Sequence, residues 1–136
     1  MKVLKTKAKI KPVNLEALFG ALADRTRLRL LNLMGDNEVC VCFLVEIIGP
    51  NQPKISRHLA YLRRAGIVSA RRDGKWMHYR IIEPSDATAQ TILRDVRNAL
   101  RNDPQMARDL KQLSSLCCRP TIPAHLVAAP KPQPCS

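Results

Sequence analysis

Between Gly66 and Ile82 the periodicity of this chain changes, and that change fixes the class of fold open to it. Ahead of Gly66 the apolar residues recur at helical spacing in four short segments, each set off by a capping or turn residue. Asn14 caps a first helix carrying Leu15, Leu18, Phe19 and Leu22. Asp24 caps a second, Arg25 to about Met34, expected to turn Leu28 and Leu31 inward and Arg25, Arg27 and Arg29 outward. After the Gly35-Asp36-Asn37 turn, a third helix is expected over 39–48, ending at Gly49-Pro50. Asn51 caps a fourth, Pro53 is tolerated in its first turn, and Gly66 stops it. Two runs rich in β-branched and aromatic residues follow, Ile67 to Arg72 and Lys75 to Ile82, parted by Asp73-Gly74, a strong hairpin signal. A helix from Pro84 to about Leu100 and another from Asp103-Pro104 through Leu113 complete the pattern.

The fold class expected is therefore mainly α with a small β-hairpin (α+β). Helix, helix, helix, helix, hairpin, helix is the order of a winged helix-turn-helix domain, and the unit at 39–65 fits the two-helix motif with its Gly-containing turn. At 136 residues the chain accommodates one domain with a modest core. The organisation expected is a basic flexible arm at 1–13, a DNA-binding and dimerisation domain at 14–115, and a Cys/Pro-rich disordered tail at 116–136, where five prolines fall within the last eighteen residues.

Charge identifies the partner class. The net charge is +12 and the pI about 10.1, and a surface this basic favours a polyanion. The excess is localised. Between Asn51 and Arg80 stand eight basic residues and one acid, Asp73, a local net charge of +7 on the fourth helix and the hairpin. In helix-turn-helix proteins the start of the second helix faces base edges while flanking cations neutralise phosphates. Gln52, Lys54, Ser56, Arg57 and His58 are the residue types for that work. Arg71, Arg72 and Lys75 surround the hairpin tip, where a wing meets the backbone or the minor groove. The competing reading is a solvated basic face.

Cys40-Val41-Cys42 carries the second chemistry. Five cysteines at close spacings in a chain expected in the cytoplasm read as metal or redox chemistry rather than a disulfide framework. On a regular helix, residues two apart are separated by about 200° and about 3 Å. One soft ion would then reach both thiols only by twisting the first turn of the third helix. A helix N-terminus also favours the thiolate that soft ions require. The competing reading is two small core residues. Cys117-Cys118 and Cys135 follow the last helix, where a vicinal pair either chelates or is incidental. His78 and His125 have no partner at metal-ligand spacing, and Trp76 and Tyr79 read as packing residues of the hairpin. No catalytic signature, no organic-cofactor motif and no run long enough for a membrane span or a secretory signal is present, so the reading is not an enzyme and not a membrane protein.

Four motifs in order, Ala21-Leu-Ala-Asp-Arg-Thr-Arg-Leu-Arg-Leu-Leu31, Glu38-Val-Cys-Val-Cys42, Gln52-Pro-Lys-Ile-Ser-Arg-His-Leu59 and Gly74-Lys-Trp-Met-His-Tyr-Arg-Ile81, resemble the ArsR/SmtB family, and within it the repressors of arsenical-resistance operons. The resemblance covers about Asn14 to Leu113. It implies a homodimer, joined through helices 14–23 and 85–101. That dimer would bind the inverted repeat of a double-stranded operator until trivalent arsenic (arsenite or methylarsenite) or antimonite takes the cysteines at Cys40 and Cys42. Members with three clustered cysteines place the third where this chain has Val45, so a three-thiolate site would recruit Cys117, Cys118 or Cys135. A two-thiolate site instead suits a methylated arsenical. Sensors of cadmium or lead add cysteines from an N-terminal arm, and residues 1–39 contain none. Zinc or nickel sensors use His on the helix after the hairpin, and residues 84–113 contain none. A ligand-independent basic nucleic-acid-binding protein shares the charge but leaves Cys40 and Cys42 unexplained.

Overall fold

A computed structural model describes residues 14–49, 51–118 and 124–132. The elements run α1 (Leu15–Leu22), α2 (Arg25–Met34), β1 (Val39–Cys40), α3 (Val41–Ile48), α4 (Gln52–Arg64), β2 (Val68–Asp73), β3 (Trp76–Ile81), α5 (Ala87–Leu100) and α6 (Pro104–Cys118), with a short 3-10 turn at Ala124–Leu126. The expected basic arm at 1–13 and Cys135 lie outside the described residues.

Helix starts are set by side chains that accept from the first unpaired amides, each worth about 1 kcal/mol. Asn14 accepts from Ala17, Asp24 from Arg27 and Asn51 from Lys54, as their sequence positions predict. The helix after the hairpin starts later than Pro84 suggests, because Asp86 accepts from the amide of Ala89 and so becomes the cap.

Leu30, Leu31, Met34, Phe43, Leu44, Leu59 and Leu62 are fully enclosed where α2, α3 and α4 meet. Burying each such side chain contributes about 1.5–3 kcal/mol. The apolar stripe of α4, Ile55, Leu59 and Leu62, faces this core as its spacing requires, which turns the opposite face to solvent.

The sheet has three antiparallel strands in the order β1-β3-β2. Asp73 pairs with Trp76, so the hairpin loop is Gly74-Lys75, one residue later than Asp73-Gly74. Only its first residue has positive φ (63° at Gly74), the pattern of a II′ turn with glycine in the position that needs it. Strand β1 departs from the sequence expectation. It removes Val39 and Cys40 from the expected third helix and pairs them with Tyr79 and His78 of β3. Helices α3 and α4 with the β2–β3 hairpin form a winged helix-turn-helix.

Arg25, Arg27 and Arg29 do not point freely outward. Arg25 pairs with Asp103, and Arg29 makes a bidentate pair with Asp109, which is 1% exposed. Those two pairs fasten α6 to α2. Arg27 donates to the carbonyls of Gly20 and Ala21 at the end of α1, and its guanidinium lies 4.0 Å above the Tyr61 ring of α4. The last helix passes the expected boundary at 115 and continues to Cys118. Within the segment expected to be a disordered tail, Leu126 is fully buried and His125 Nε2 lies 2.8 Å from Glu46 of α3.

Candidate nucleic-acid interface and thiol site

Helix α4 presents its cations at its start because Asn51 caps it and Pro53 occupies the first turn, where a missing amide hydrogen costs nothing. Gln52, Lys54 and Arg57 are exposed and Ser56 is half-buried. Lys54, Arg57, Arg63, Arg72 and Lys75 have no carboxylate partner among the described residues, so their charge is available to a polyanion. Arg72 is exposed on β2. Lys75 sits in the hairpin loop with its ammonium 5.1 Å from the Trp76 ring.

Two of the residues expected to touch DNA are engaged within the chain. His58 Nδ1 faces Arg27 Nη1 at 3.1 Å and Asp24 at 3.8 Å, and burial lowers its pKa. The lowered pKa favours the neutral ring, in which Arg27, a donor only, makes Nδ1 the acceptor and leaves the proton on Nε2. Arg71 donates from Nε and Nη2 to the carboxylate of Glu38, at 2.7 Å for the shortest contact. The same pairing holds the Glu38 carboxyl below its usual range.

The thiols converge without any distortion of α3. Cys40 stands outside the helix as its N-cap residue, with extended backbone (φ −68°, ψ 141°), and Cys42 is the second helical residue. That break in periodicity replaces the expected divergence with an Sγ–Sγ separation of 2.9 Å. The expected twisting of the first turn is therefore unnecessary. Cys40 is 1% exposed and Cys42 half-buried. The Cys42 thiol beside it pulls the Cys40 pKa down from its ordinary value to about 7; burial opposes this, and the amides of Cys42 and Val41 add to it. Cys42 is raised, first by its bond to Cys40 and then by burial. The pair thus gives up its first proton as pH rises through about 7, with Cys40 the thiol lowered. Two sulfurs so placed are a two-point claw for a thiophilic centre, which prefers soft donors.

Cys117 is 3% exposed and lies in the same core cluster as Cys40, on the helix that packs against α3. It is thus a buried helical residue and not part of a loose tail. The Cys118 side chain lies outside the described part of the structure. Among the described residues no three His, Cys, Asp or Glu side chains gather closely enough to hold a metal ion.

Two neighbours of the site escape a reading of the sequence. Glu38 ties the segment before Cys40 to the hairpin, and His78 stands directly opposite Cys40, 5% exposed, with Nε2 buried and without a hydrogen-bond partner among the described residues. Both follow from β1, and a two-residue strand leaves no periodic signal.

Residues 24–70 match the model of the family described as bacterial regulatory protein, arsR family. Over 77 residues the chain is 47% identical to the arsenical resistance operon repressor of Escherichia coli (strain K12), a match spanning 56% of this chain and 66% of that protein. Over 107 residues it is 39% identical to the arsenic resistance transcriptional regulator ArsR1 of Pseudomonas putida, spanning 78% of this chain and 82% of that one. Among solved structures, HlyU from Vibrio cholerae superposes with a TM-score of 0.54 at 28% identity, covering 62% of this chain and 89% of that one.

Proposed function

This chain belongs to the ArsR family of bacterial regulatory proteins, DNA-binding transcriptional regulators, and from that premise we propose that it represses an arsenical-resistance operon. Trivalent arsenic (arsenite or methylarsenite) or antimonite bound at Cys40 and Cys42 would release it from the operator. The observation that carries the reading is the Sγ–Sγ separation of 2.9 Å at the start of α3, in the helix-turn-helix unit whose second helix bears Gln52, Lys54 and Arg57. A ligand-independent nucleic-acid-binding protein has no use for two converging thiols in that position.

The partners in this reading are the inverted repeat of a double-stranded operator and a second copy of the chain, one recognition helix per half-site. Gln52, Lys54, Ser56 and Arg57 face base edges, with His58 offering Nε2–H. Arg71, Arg72 and Lys75 meet phosphates. Leu15 and Phe19, 43% and 52% exposed and four residues apart on one face of α1, supply apolar surface for the dimer, with α5 as the second contributor. Among the described residues no helix is long and apolar enough to cross a membrane, and the proposed place of action is the cytoplasm. Cys117 and Cys118 are proposed as the source of a third thiolate.

The test is operator binding followed by fluorescence anisotropy, with and without arsenite. Cadmium and lead serve as competing effectors. Release by arsenite at lower concentration than by either cation supports the reading, and binding indifferent to all three overturns it.

A further inference from the structure

We propose that Glu38 is a positioning residue that transmits occupation of the Cys40–Cys42 pair to the hairpin, by holding Arg71 of β2 to the strand that carries Cys40. Across the sheet, Cys40 of β1, His78 of β3 and Arg71 of β2 are opposite one another in register. Directly opposed residues share a face of the sheet, so these three side chains form one transverse row. Glu38, two residues before Cys40, closes the row from the other direction. Its carboxylate accepts from Arg71 Nε and Nη2, while Nη1 takes no part and remains for an outside partner. Arg71 is thus joined to the sensing segment twice, through the strand ladder and through its guanidinium.

The row contains a buried slack point. His78 is 5% exposed, and its Nε2 has no partner among the described residues. An unsatisfied buried nitrogen is costly, and a small shift of β1 against β3 changes its surroundings. A ligand that bridges both sulfurs must move them from 2.9 Å to the wider separation that two bonds to one central atom impose. Cys42 belongs to the first turn of α3 whereas Cys40 precedes it, and the proposal places the displacement on Cys40 and the two residues before it. Glu38 moves with them and carries Arg71. An exposed ion pair contributes little to stability, so its consequence lies in where it keeps Arg71.

The inference rests on the thiol pair as the effector site but not on which effector is natural, nor on DNA release. The protein carries its own reporter. Trp76, the sole tryptophan, opens β3 beside the hairpin loop. Titration of the full chain with phenylarsine oxide, a trivalent arsenical with two exchangeable positions, is followed by Trp76 emission without DNA. Occupancy of the pair is counted by residual thiols. The expected result is a saturating change in wild type, none in Cys40→Ser, and less than half the wild-type amplitude in Glu38→Ala at equal occupancy. Glu38→Gln, which keeps one acceptor for Arg71, falls between. A Glu38→Ala response equal to wild type overturns the proposal, as does a silent Trp76 with the pair occupied. An operator that arsenite fails to release, alongside the expected Trp76 pattern, counts against the proposed function and leaves the link intact.

Discussion

Cys40 Sγ stands 2.9 Å from Cys42 Sγ because the helix begins between them, with Cys40 in extended backbone and Cys42 in the first turn. Had α3 started at Val39, the two thiols would diverge by about 200° around the axis. The strand pairing that delays the start of the helix is what assembles the claw.

That arrangement makes the Cys40 thiolate dependent on Cys42. Its pKa is lowered to about 7 chiefly by the neighbouring thiol, so the thiolate forms as pH rises through about 7 and is lost below it. Thiolate absorbance in the ultraviolet, titrated on wild type and Cys42→Ala, is expected to show one group with a midpoint near 7 that moves upward in the variant. A midpoint near 7 that survives in Cys42→Ala contradicts this account.

The two parts of the basic face are expected to fail differently. Replacing Lys54 or Arg57 by Ala weakens binding to the specific operator by roughly 1–3 kcal/mol while sparing random DNA. Replacing Arg72 or Lys75 weakens all sequences alike and lowers the salt slope by about one unit for each phosphate left without its cation. Anisotropy titrations over a salt series distinguish these outcomes, and unchanged affinity in all four variants removes α4 and the hairpin from the interface.

Asp109 is expected to be the most damaging single charge to remove. Its carboxylate is buried and receives both arms of Arg29 and the side-chain amide of Gln105. Asp109→Ala leaves a half-buried guanidinium without its partner, for an expected destabilisation of about 3 kcal/mol in urea unfolding. A value below about 1 kcal/mol shows that α6 is held to α2 by its apolar packing alone.

Much of the fold is legible in the sequence, and the larger failures share one cause. Asn14, Asp24 and Asn51 announce their helices because a cap acts on amides three residues away, a purely local matter. The hairpin announces itself through Gly74 for the same reason. Long-range partners are invisible. The α2 arginines read as an outward basic face because Asp103 and Asp109 stand far along the chain, beyond the hairpin and α5. Strand β1 is absorbed into an apolar helix because Val39-Cys40 is defined by its pairing with β3. Glu38, His78 and the geometry of the thiols all depend on that pairing. The exposed α4 cations are found because amphipathic period alone decides which face they take.

A third thiolate, where arsenite needs one, is expected from Cys117 or Cys118. Val45 cannot ligate, and Cys117 is buried on a helix packed against α3. The Cys117→Ser/Cys118→Ser double variant, shown folded by its unfolding curve, is titrated with arsenite and methylarsenite. The expected result is no response to arsenite with a retained response to methylarsenite. Unaltered affinity for both shows that Cys40 and Cys42 suffice.

Removing one sulfur of the claw without touching the DNA face tests the central claim most directly. Operator-bound protein is titrated with arsenite for wild type and Cys40→Ser in parallel. The account predicts near-equal operator affinity before arsenite is added, release of the wild type, and a Cys40→Ser protein that stays bound. A Cys40→Ser protein that leaves its operator at the wild-type arsenite concentration contradicts it.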